Sequence, residues 1–520
     1  MSTTLGPTTA ARAQGVRLRA WLRTRAIAVP TAAGLFAVLV TAIGSWIPSL
    51  WGDEAASALS AQRSLPSFLH EVAHVDAVHA VYYAGLHVWV ALFGASPFSL
   101  RFPSAIATGV MVAGVVVLVR LVTARPVHRA SWRLPLIAGA IAMMLPRLDY
   151  AGVEARGYSW TAAFAVWIVI IGVATLTGRL GAGLGWSWFA VVLGVGTALN
   201  LYLGSLIVVI GCLVVLWHPR GERRVQLLRW GWSSLVAVAL ASPIIVLGAL
   251  EHGQVAFLAH RPMPPSSWLV NQWFFTNPYA ALGWLLLIAA VIVVMLRRTP
   301  RPQRRLGLAA VLWAGIPSAF LIGTISTLHN YSPRYLTFTA PAVAILMALA
   351  VEVVFRSWRP AGAALLVVVL GAAVPSYAMQ RTPNAENNSD WAQVGAVIAA
   401  NAQPGDQVAF DQVVRPSRRP ENAYRVYPTD FRNVTAPQIE VPYTAEPTWH
   451  DKVMKISTAA SRDLFTAGTV FAVEANYPGE GVLDVSGVPS LEESGYHVVR
   501  HWQLHSDLVF ELDRDGVEQP

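Results

Sequence analysis

Long apolar runs recur along the first 380 residues, and they constrain the fold more than any other feature of the sequence. A helix needs about 20 mostly apolar residues to cross a lipid bilayer. Runs near this length follow one another, and the whole chain is 55% hydrophobic but only 13% charged. Because soluble helices carry such runs far less often, the sequence predicts a polytopic α-helical membrane protein.

The charged residues divide the chain into two parts. Beyond Tyr377 lie 11 of the 38 Lys and Arg residues but 20 of the 29 Asp and Glu residues. The first part is therefore basic and apolar, and the second is acidic and polar. The basic residues lie in short loops between apolar runs, where the positive-inside rule expects them. The net charge of +9 therefore reflects membrane topology, and nucleic acid is not an expected partner.

Three regions follow from this pattern. Residues 1–25 are polar, contain five arginines and are predicted to be a cytoplasmic tail. Residues 26–380 form the predicted transmembrane domain, whose first apolar run is too long for a signal-peptide core. Residues 381–520 form a predicted extracytoplasmic α/β domain. A single cysteine, Cys212, lies in an apolar run, so no disulfide can form within one chain.

The segment at residues 80–94 is apolar but shorter than a membrane span. If it crossed the membrane, the arginines that follow the run at 101–121 would lie outside, against the positive-inside rule. We therefore expect an amphipathic segment along the outer interface, within a first outer loop that covers residues 49–100. About eleven spans remain, near residues 26–48, 101–121, 134–148, 158–177, 186–200, 203–217, 230–249, 279–296, 306–326, 336–355 and 361–377.

This topology brings most acidic residues of the membrane part to one side. The arginine-rich tail places the N-terminus in the cytoplasm. An odd number of spans then places the C-terminal domain on the opposite side, outside a plasma membrane. Only two of the nine acidic residues in the membrane part, Glu222 and Glu352, then fall elsewhere. The seven on the outer side are Asp53, Glu54, Glu71, Asp76, Asp149, Glu154 and Glu251.

The C-terminal part shows the alternation of a small mixed sheet with flanking helices. Strands are predicted at 407–411, 469–474, 496–503 and 508–512, and helices at 389–401 and 489–494. The stretch at 414–450, rich in Pro, Arg, Asn and Thr, is predicted to be a long loop or lid.

Asp53 and Glu54 follow the first span directly, and carboxylates at such a position mark a candidate functional site. Nucleotide-linked donors are confined to the cytoplasm, and the glycines at 178–185 lack the Lys-Ser/Thr ending of a phosphate-binding loop. A donor for a reaction on the outer face would therefore come from the membrane. A lipid phosphate fits this requirement.

Seven motifs follow one another in the order Trp51-Gly52-Asp53-Glu54, His74-Val75-Asp76, His79 to Tyr83, Leu92-Phe93-Gly94, Arg101 to Ser104, Glu154-Ala155-Arg156-Gly157-Tyr158 and Ser332-Pro333-Arg334-Tyr335-Leu336. In this order they resemble glycosyltransferases of the GT-C fold and family 39 type, which include protein O-mannosyltransferases and aminoarabinose-transferase-like enzymes. The resemblance covers roughly residues 30–380 and suggests an actinobacterial source. It departs from the family at one place, where His79 precedes Ala-Val instead of the usual Pro-Pro.

The resemblance implies a polyprenyl-phosphate sugar as donor, with a mannosyl or pentosyl group, and an extracytoplasmic glycan, lipoglycan or protein as acceptor. Transfer from a lipid phosphate requires a base for the acceptor proton and cations for the leaving phosphate. Asp53 is the predicted general base. Glu54, Asp76 and His79 are candidates for positioning the acceptor or holding a divalent metal, and Glu154 is a further positioning candidate. The predicted phosphate ligands are Arg334, Arg156, Tyr331 and His329.

Two other classes of function remain open. A transporter or flippase of lipid-linked sugars would use the same acidic residues along a translocation path. That function predicts ionisable residues near mid-span and similarity between two halves, whereas here they gather in outer loops. An envelope scaffold with a binding domain would leave the acidic residues dispensable.

Overall fold

The computed structural model describes residues 26–124, 131–251, 253, 272–275, 279–296, 299–328, 331–476 and 487–514. Seven of the described helices are long and apolar enough to cross a membrane, and an eighth crossing is formed if a bent helix pair counts as one span. The helices of this part are α1 (Ala26–Ala42), α2 (Gly52–Ala61), α3 (Leu65–Val72), α4 (Ala80–Phe93), α5 (Pro97–Thr123), α6 (Arg133–Met144), α7 (Pro146–Gly152), α8 (Tyr158–Leu176), α9 (Ala182–Leu199), α10 (Leu206–Trp217), α11 (Arg220–Leu250), α12 (Tyr279–Met295), α13 (Arg301–Gly323), α14 (Ile325–Leu328), α15 (Ala340–Ser357) and α16 (Arg359–Met379).

The predicted polytopic helical fold is confirmed, and the remaining three predicted spans coincide with shorter apolar helices. These are α1, α12 and the stretch Leu201–Trp217 that ends in α10. The span predicted at 134–148 is bent by 63° between α6 and α7. The bend is caused by Pro146, which lacks an N–H and forces the preceding Leu145 into an extended conformation with ψ 122°.

The segment predicted to lie along the outer interface forms α4, preceded by a short 3-10 turn at Ala77–His79. Tyr82, Tyr83 and Leu86 are buried, while Leu92 and Phe93 near its end are exposed. One part of the helix therefore packs on the protein and another presents apolar side chains outward, as the interfacial prediction requires.

The C-terminal part contains the predicted sheet. The elements of this part are α17 (Trp391–Asn401), β1 (Asp406–Phe410), α18 (Glu421–Val426), β2 (Val434–Thr435), β3 (Ile439–Val441), β4 (Lys452–Val453), α19 (Ile456–Ser461), β5 (Thr469–Ala475), α20 (Gly487–Glu492), β6 (Tyr496–Gln503) and β7 (Asp507–Arg514). Five strands form one sheet in the order β2-β1-β5-β7-β6. Strand β1 is parallel to β2 and β5, whereas β7 is antiparallel to β5 and β6. The four predicted strands lie within one or two residues of β1, β5, β6 and β7. The stretch at 414–450, predicted to be a long loop or lid, instead contains α18, β2 and β3.

One apolar core joins the first outer loop to the C-terminal part. Leu50 and Tyr83 belong to the same buried cluster as Trp391 and Phe410. The predicted domain boundary at residue 380 also lies in a packed region, since Arg381 donates to both carboxylate oxygens of Asp149 at 2.9 Å. The C-terminal part is thus fastened to the helical part on the side that carries Asp53.

Candidate active site

Asp53 and Glu54 lie in the first turn of α2, where the helix dipole favours negative charge. Neighbouring residues of a helix point about 100° apart because a turn takes 3.6 residues. The side chain of Asp53 is consequently 28% exposed, whereas that of Glu54 is fully buried. The helix thus directs one carboxylate towards solvent and the other into the protein.

Asp53 is paired with an arginine from a distant part of the chain. Nη1 of Arg334 donates to Asp53 Oδ2 at 2.6 Å, and Nη2 of Arg156 lies 3.9 Å from the same oxygen. The Arg334 guanidinium also lies over the Trp51 ring, 4.7 Å from its centroid. Because its side chain is 28% exposed, Arg334 is accessible from solvent at the point where it meets Asp53.

Glu154 lies behind this pair. Its side chain is fully buried, with Oε1 3.7 Å from Arg334 Nη1. Neither carboxylate oxygen accepts a hydrogen bond from any residue that the structure describes. Burial raises the pKa of Glu154 to about 7, against the opposing effect of Arg334. Glu154 can therefore carry a proton at neutral pH.

Glu54 is occupied by a different arginine. Arg101 donates from Nε and Nη2 to its two oxygens at 2.7 and 2.5 Å, and Nη1 donates to the carbonyls of Ser45 and Pro48 at 2.7 Å. The backbone N–H of Ala155 donates to Glu54 Oε1 at 2.8 Å. Glu54 thereby connects the start of α5 to the loop that carries Glu154 and Arg156.

Arg156 is held by residues of the first outer loop. Its Nη1 donates to Tyr83 Oη at 2.8 Å, and Tyr83 in turn donates to Asp76 Oδ2 at 3.0 Å. Nη2 of Arg156 lies 3.1 Å from His79 Nε2, which accepts because an arginine can only donate. Desolvation and the charge of Arg156 lower the pKa of His79 well below its ordinary value, so its imidazole is neutral.

The candidate metal ligands contact different partners. Glu54 contacts Arg101, Asp76 contacts Tyr83, and His79 contacts Arg156. Across the described ranges, no group of three or more His, Cys, Asp and Glu side chains has a geometry that could hold a metal ion.

The two remaining predicted phosphate ligands are Tyr331 and His329. Tyr331 is 2% exposed and packs in the main apolar core of the helical part. His329 lies outside the described residues. Arg334 and Arg156 are therefore the two predicted phosphate ligands that the structure brings to Asp53.

Glu386 was not predicted, yet it belongs to this cluster. It is 1% exposed, and burial raises its pKa well above the ordinary range, with further contributions from the nearby Glu54 and Glu154. It lies beyond residue 380, in the part predicted to be the extracytoplasmic α/β domain. Its position shortly after the last span was the available signal, because a short segment can fold back onto the same face.

The stretch predicted as a loop or lid packs onto the first outer loop. The carbonyl oxygen of Ser417 lies so close to Gly52 that a Cβ there would be 2.1 Å from it. Tyr427 Oη accepts from Leu50 N at 2.8 Å. Arg63 donates from Nη1 to the carbonyl of Glu446 at 3.0 Å. The segment thus covers α2 beside Asp53 through several separate contacts.

The sequence matches no protein-family model and no curated protein. In structure, the chain is similar to ArnT from Cupriavidus metallidurans bound to undecaprenyl phosphate, with a TM-score of 0.56 and 13% identity over 92% of this chain and 97% of that one. The apo form of the same protein has a TM-score of 0.54 and 14% identity over 96% and 98% of the two chains. An Archaeoglobus fulgidus oligosaccharyltransferase has a TM-score of 0.45 and 14% identity over 85% and 69%. The chain is a multi-pass membrane protein with the GT-C fold, which it shares with the ArnT structures.

Proposed function

We propose that this protein is a glycosyltransferase that moves a sugar from a polyprenyl-phosphate donor to an acceptor on the extracytoplasmic face. The observation that carries the proposal is the accessible Asp53–Arg334 pair, backed by Arg156 and Glu154. The GT-C fold supports it, because the similar ArnT structure contains undecaprenyl phosphate. In the proposed membrane orientation, the N-terminus is cytoplasmic and the C-terminal domain lies on the extracytoplasmic face, where the acceptor is.

The pair suits a reaction in which phosphate and carboxylate compete for one guanidinium. In the free protein Arg334 donates to Asp53 Oδ2, so this carboxylate oxygen already has the guanidinium as its partner. A bound phosphodiester offers oxygens that Arg334 and Arg156 can hold together. Once Arg334 turns towards the phosphate, Asp53 is released to accept a proton. Donor binding would therefore activate the base.

The chemical step is a single displacement. The acceptor hydroxyl oxygen attacks the anomeric carbon while Asp53 takes its proton. The bond between that carbon and the phosphate oxygen breaks, and its electron pair leaves with the polyprenyl phosphate, whose charge the arginines stabilise. Attack from the side opposite the leaving group inverts the anomeric configuration. A mannosyl or pentosyl donor and a glycan, lipoglycan or protein acceptor are the proposed substrates.

A transfer assay with purified protein and polyprenyl-phosphate sugars tests the base. Asp53→Asn keeps the shape of the side chain but cannot take a proton, so kcat should fall at least about 100-fold. Asp463→Asn is a matched control, because Asp463 is exposed and has a φ of 53°, which asparagine also tolerates. If Asp53→Asn folds normally and transfers sugar at the wild-type rate, Asp53 is not the base.

The phosphate role is tested by Arg334→Gln. Losing a charged hydrogen-bond donor should raise the donor KM at least about tenfold and leave the acceptor KM nearly unchanged. Arg432→Gln, at an exposed arginine of the C-terminal part, is the control. An unchanged donor KM would refute the assignment. The assay also separates an enzyme from a flippase, since a flippase forms no new glycosidic bond.

A further inference from the structure

A polar cavity lies at the end of the helical part opposite to Asp53. Its volume is about 280 Å³, and Arg120, Ser131, Gln303, Glu352 and Arg356 are among its lining residues. These residues come from the ends of α5, α6, α13 and α15 or lie next to them. Ligand pockets begin at roughly 300 Å³, so the cavity suits a small polar group rather than a whole lipid.

The cavity is separate from the site around Asp53. Arg101, which contacts Glu54, lies near the start of α5, and Arg120 lies near its end. At 1.5 Å per residue, the helix places these two residues about 28 Å apart. A ligand in this cavity cannot touch the proposed catalytic residues.

Two arginines pair with one carboxylate here, and a third arginine lies nearby without contacting it. Arg133 donates to both oxygens of Glu352, at 2.8 and 2.7 Å, and Arg356 Nε donates to Glu352 Oε1 at 3.0 Å. Arg120 does not share this carboxylate; its guanidinium lies over the Trp132 ring, 3.7 Å from the centroid. The net charge of the cluster is therefore strongly positive.

Arg120 also has an unused donor. Its Nη1 atom is buried and has no hydrogen-bond partner in the described part of the chain. A buried donor without a partner is costly, and a guanidinium forms its strongest hydrogen bonds with carboxylate or phosphate oxygens. The Ser131 hydroxyl and the Gln303 amide provide additional donors at the same cavity.

We propose that this cavity binds an anionic phosphate group, with Arg120 and Arg356 as its main ligands. The cavity opens between helix ends of a membrane protein, where basic pockets recognise phospholipid headgroups. The same chemistry would accept free inorganic phosphate, and the experiment distinguishes these two sources.

The test measures binding of phosphatidylglycerol to the full-length protein in phosphatidylcholine nanodiscs, with and without inorganic phosphate. Arg356→Gln should lower the apparent affinity at least about fivefold, and its side chain is 44% exposed, so the variant should fold. Arg120→Gln should lower it further. Arg224→Gln removes an exposed arginine from the start of α11, outside this cavity, and is the matched control.

Competition by inorganic phosphate in the wild type, lost in Arg120→Gln, would support the site with the free anion as its ligand. Affinity loss in both cavity variants without phosphate competition would support it with the lipid as its ligand. The proposal is overturned if the cavity variants bind like the wild type or if Arg224→Gln loses as much affinity as they do. Transfer activity is not the readout, so failure here is independent of the proposed enzymatic function.

Discussion

Replacing Glu54 with Gln tests whether the two adjacent carboxylates have different roles. Glu54 and Arg101 both have fully buried side chains and share two short hydrogen bonds. Glu54→Gln keeps the volume but leaves the Arg101 charge buried without a counter-charge. Asp53→Asn, one residue away, removes a charge that is 28% exposed. The first variant should therefore lose stability, and the second should lose activity.

The magnitudes follow from burial. Removing one partner of a buried ion pair costs about 3–5 kcal/mol, whereas an exposed pair contributes about 0–1 kcal/mol. With an unfolding entropy of about 2.1 cal/mol/K per residue, a cooperative transition of this chain shifts by roughly 1 °C per kcal/mol. Glu54→Gln should lower Tm by roughly 3–5 °C, and Asp53→Asn by about 1 °C or less.

The assay is thermal unfolding of the detergent-solubilised protein, followed by intrinsic fluorescence, alongside the transfer assay. Wild type and both variants are compared in the same detergent and at the same pH. The reasoning is refuted if Glu54→Gln unfolds at the wild-type temperature, or if Asp53→Asn is destabilised as much as Glu54→Gln.

Two further predictions concern neighbouring parts of the site. Gly52→Ala should weaken the packing of the segment around Ser417 and make that segment more sensitive to limited proteolysis, because a Cβ at Gly52 meets its backbone. Gly85→Ala is the control, since a Cβ there meets nothing within 4 Å. Equal cleavage of the two variants would contradict this prediction. Glu154 has a pKa raised by burial to about 7, so its contribution to stability is present at low pH and is lost as pH rises through 7. Glu154→Gln should therefore lose less Tm than the wild type between pH 6 and 8, and parallel curves would contradict this.

Local sequence patterns were enough to predict the membrane spans and most strands of the C-terminal sheet. Span positions follow from the length of apolar runs, because the bilayer imposes that length on any crossing helix. Four of the five strands of the C-terminal sheet follow from alternation, and β6 was predicted with the observed bounds. The fifth strand, β2, has two residues and lies in the stretch that was predicted to be a loop. Pro146 shows the limit, since a run that reads as one span is bent where the proline removes a hydrogen bond.

Candidate residues in the outer loops could also be named from the sequence, because charge beside a membrane span is costly unless it has a role. Asp53, Arg156 and Arg334 were selected in this way, and the structure brings them together. Their roles in transfer remain proposals for the assays above.

The sequence by itself determined the class of protein and the set of ionisable residues at the outer face, since hydropathy and charge act over one helix length. Only the tertiary structure decided which of these ionisable residues contact one another. Asp53 and Arg334 are 281 residues apart, Glu54 pairs with Arg101, and Glu386 returns from beyond the last span. These pairings depend on how the helices pack, and every arginine in the sequence has the same charge. The packing around α2 leaves Asp53 accessible and buries Glu54, whose side chain points in a different direction from the same helix.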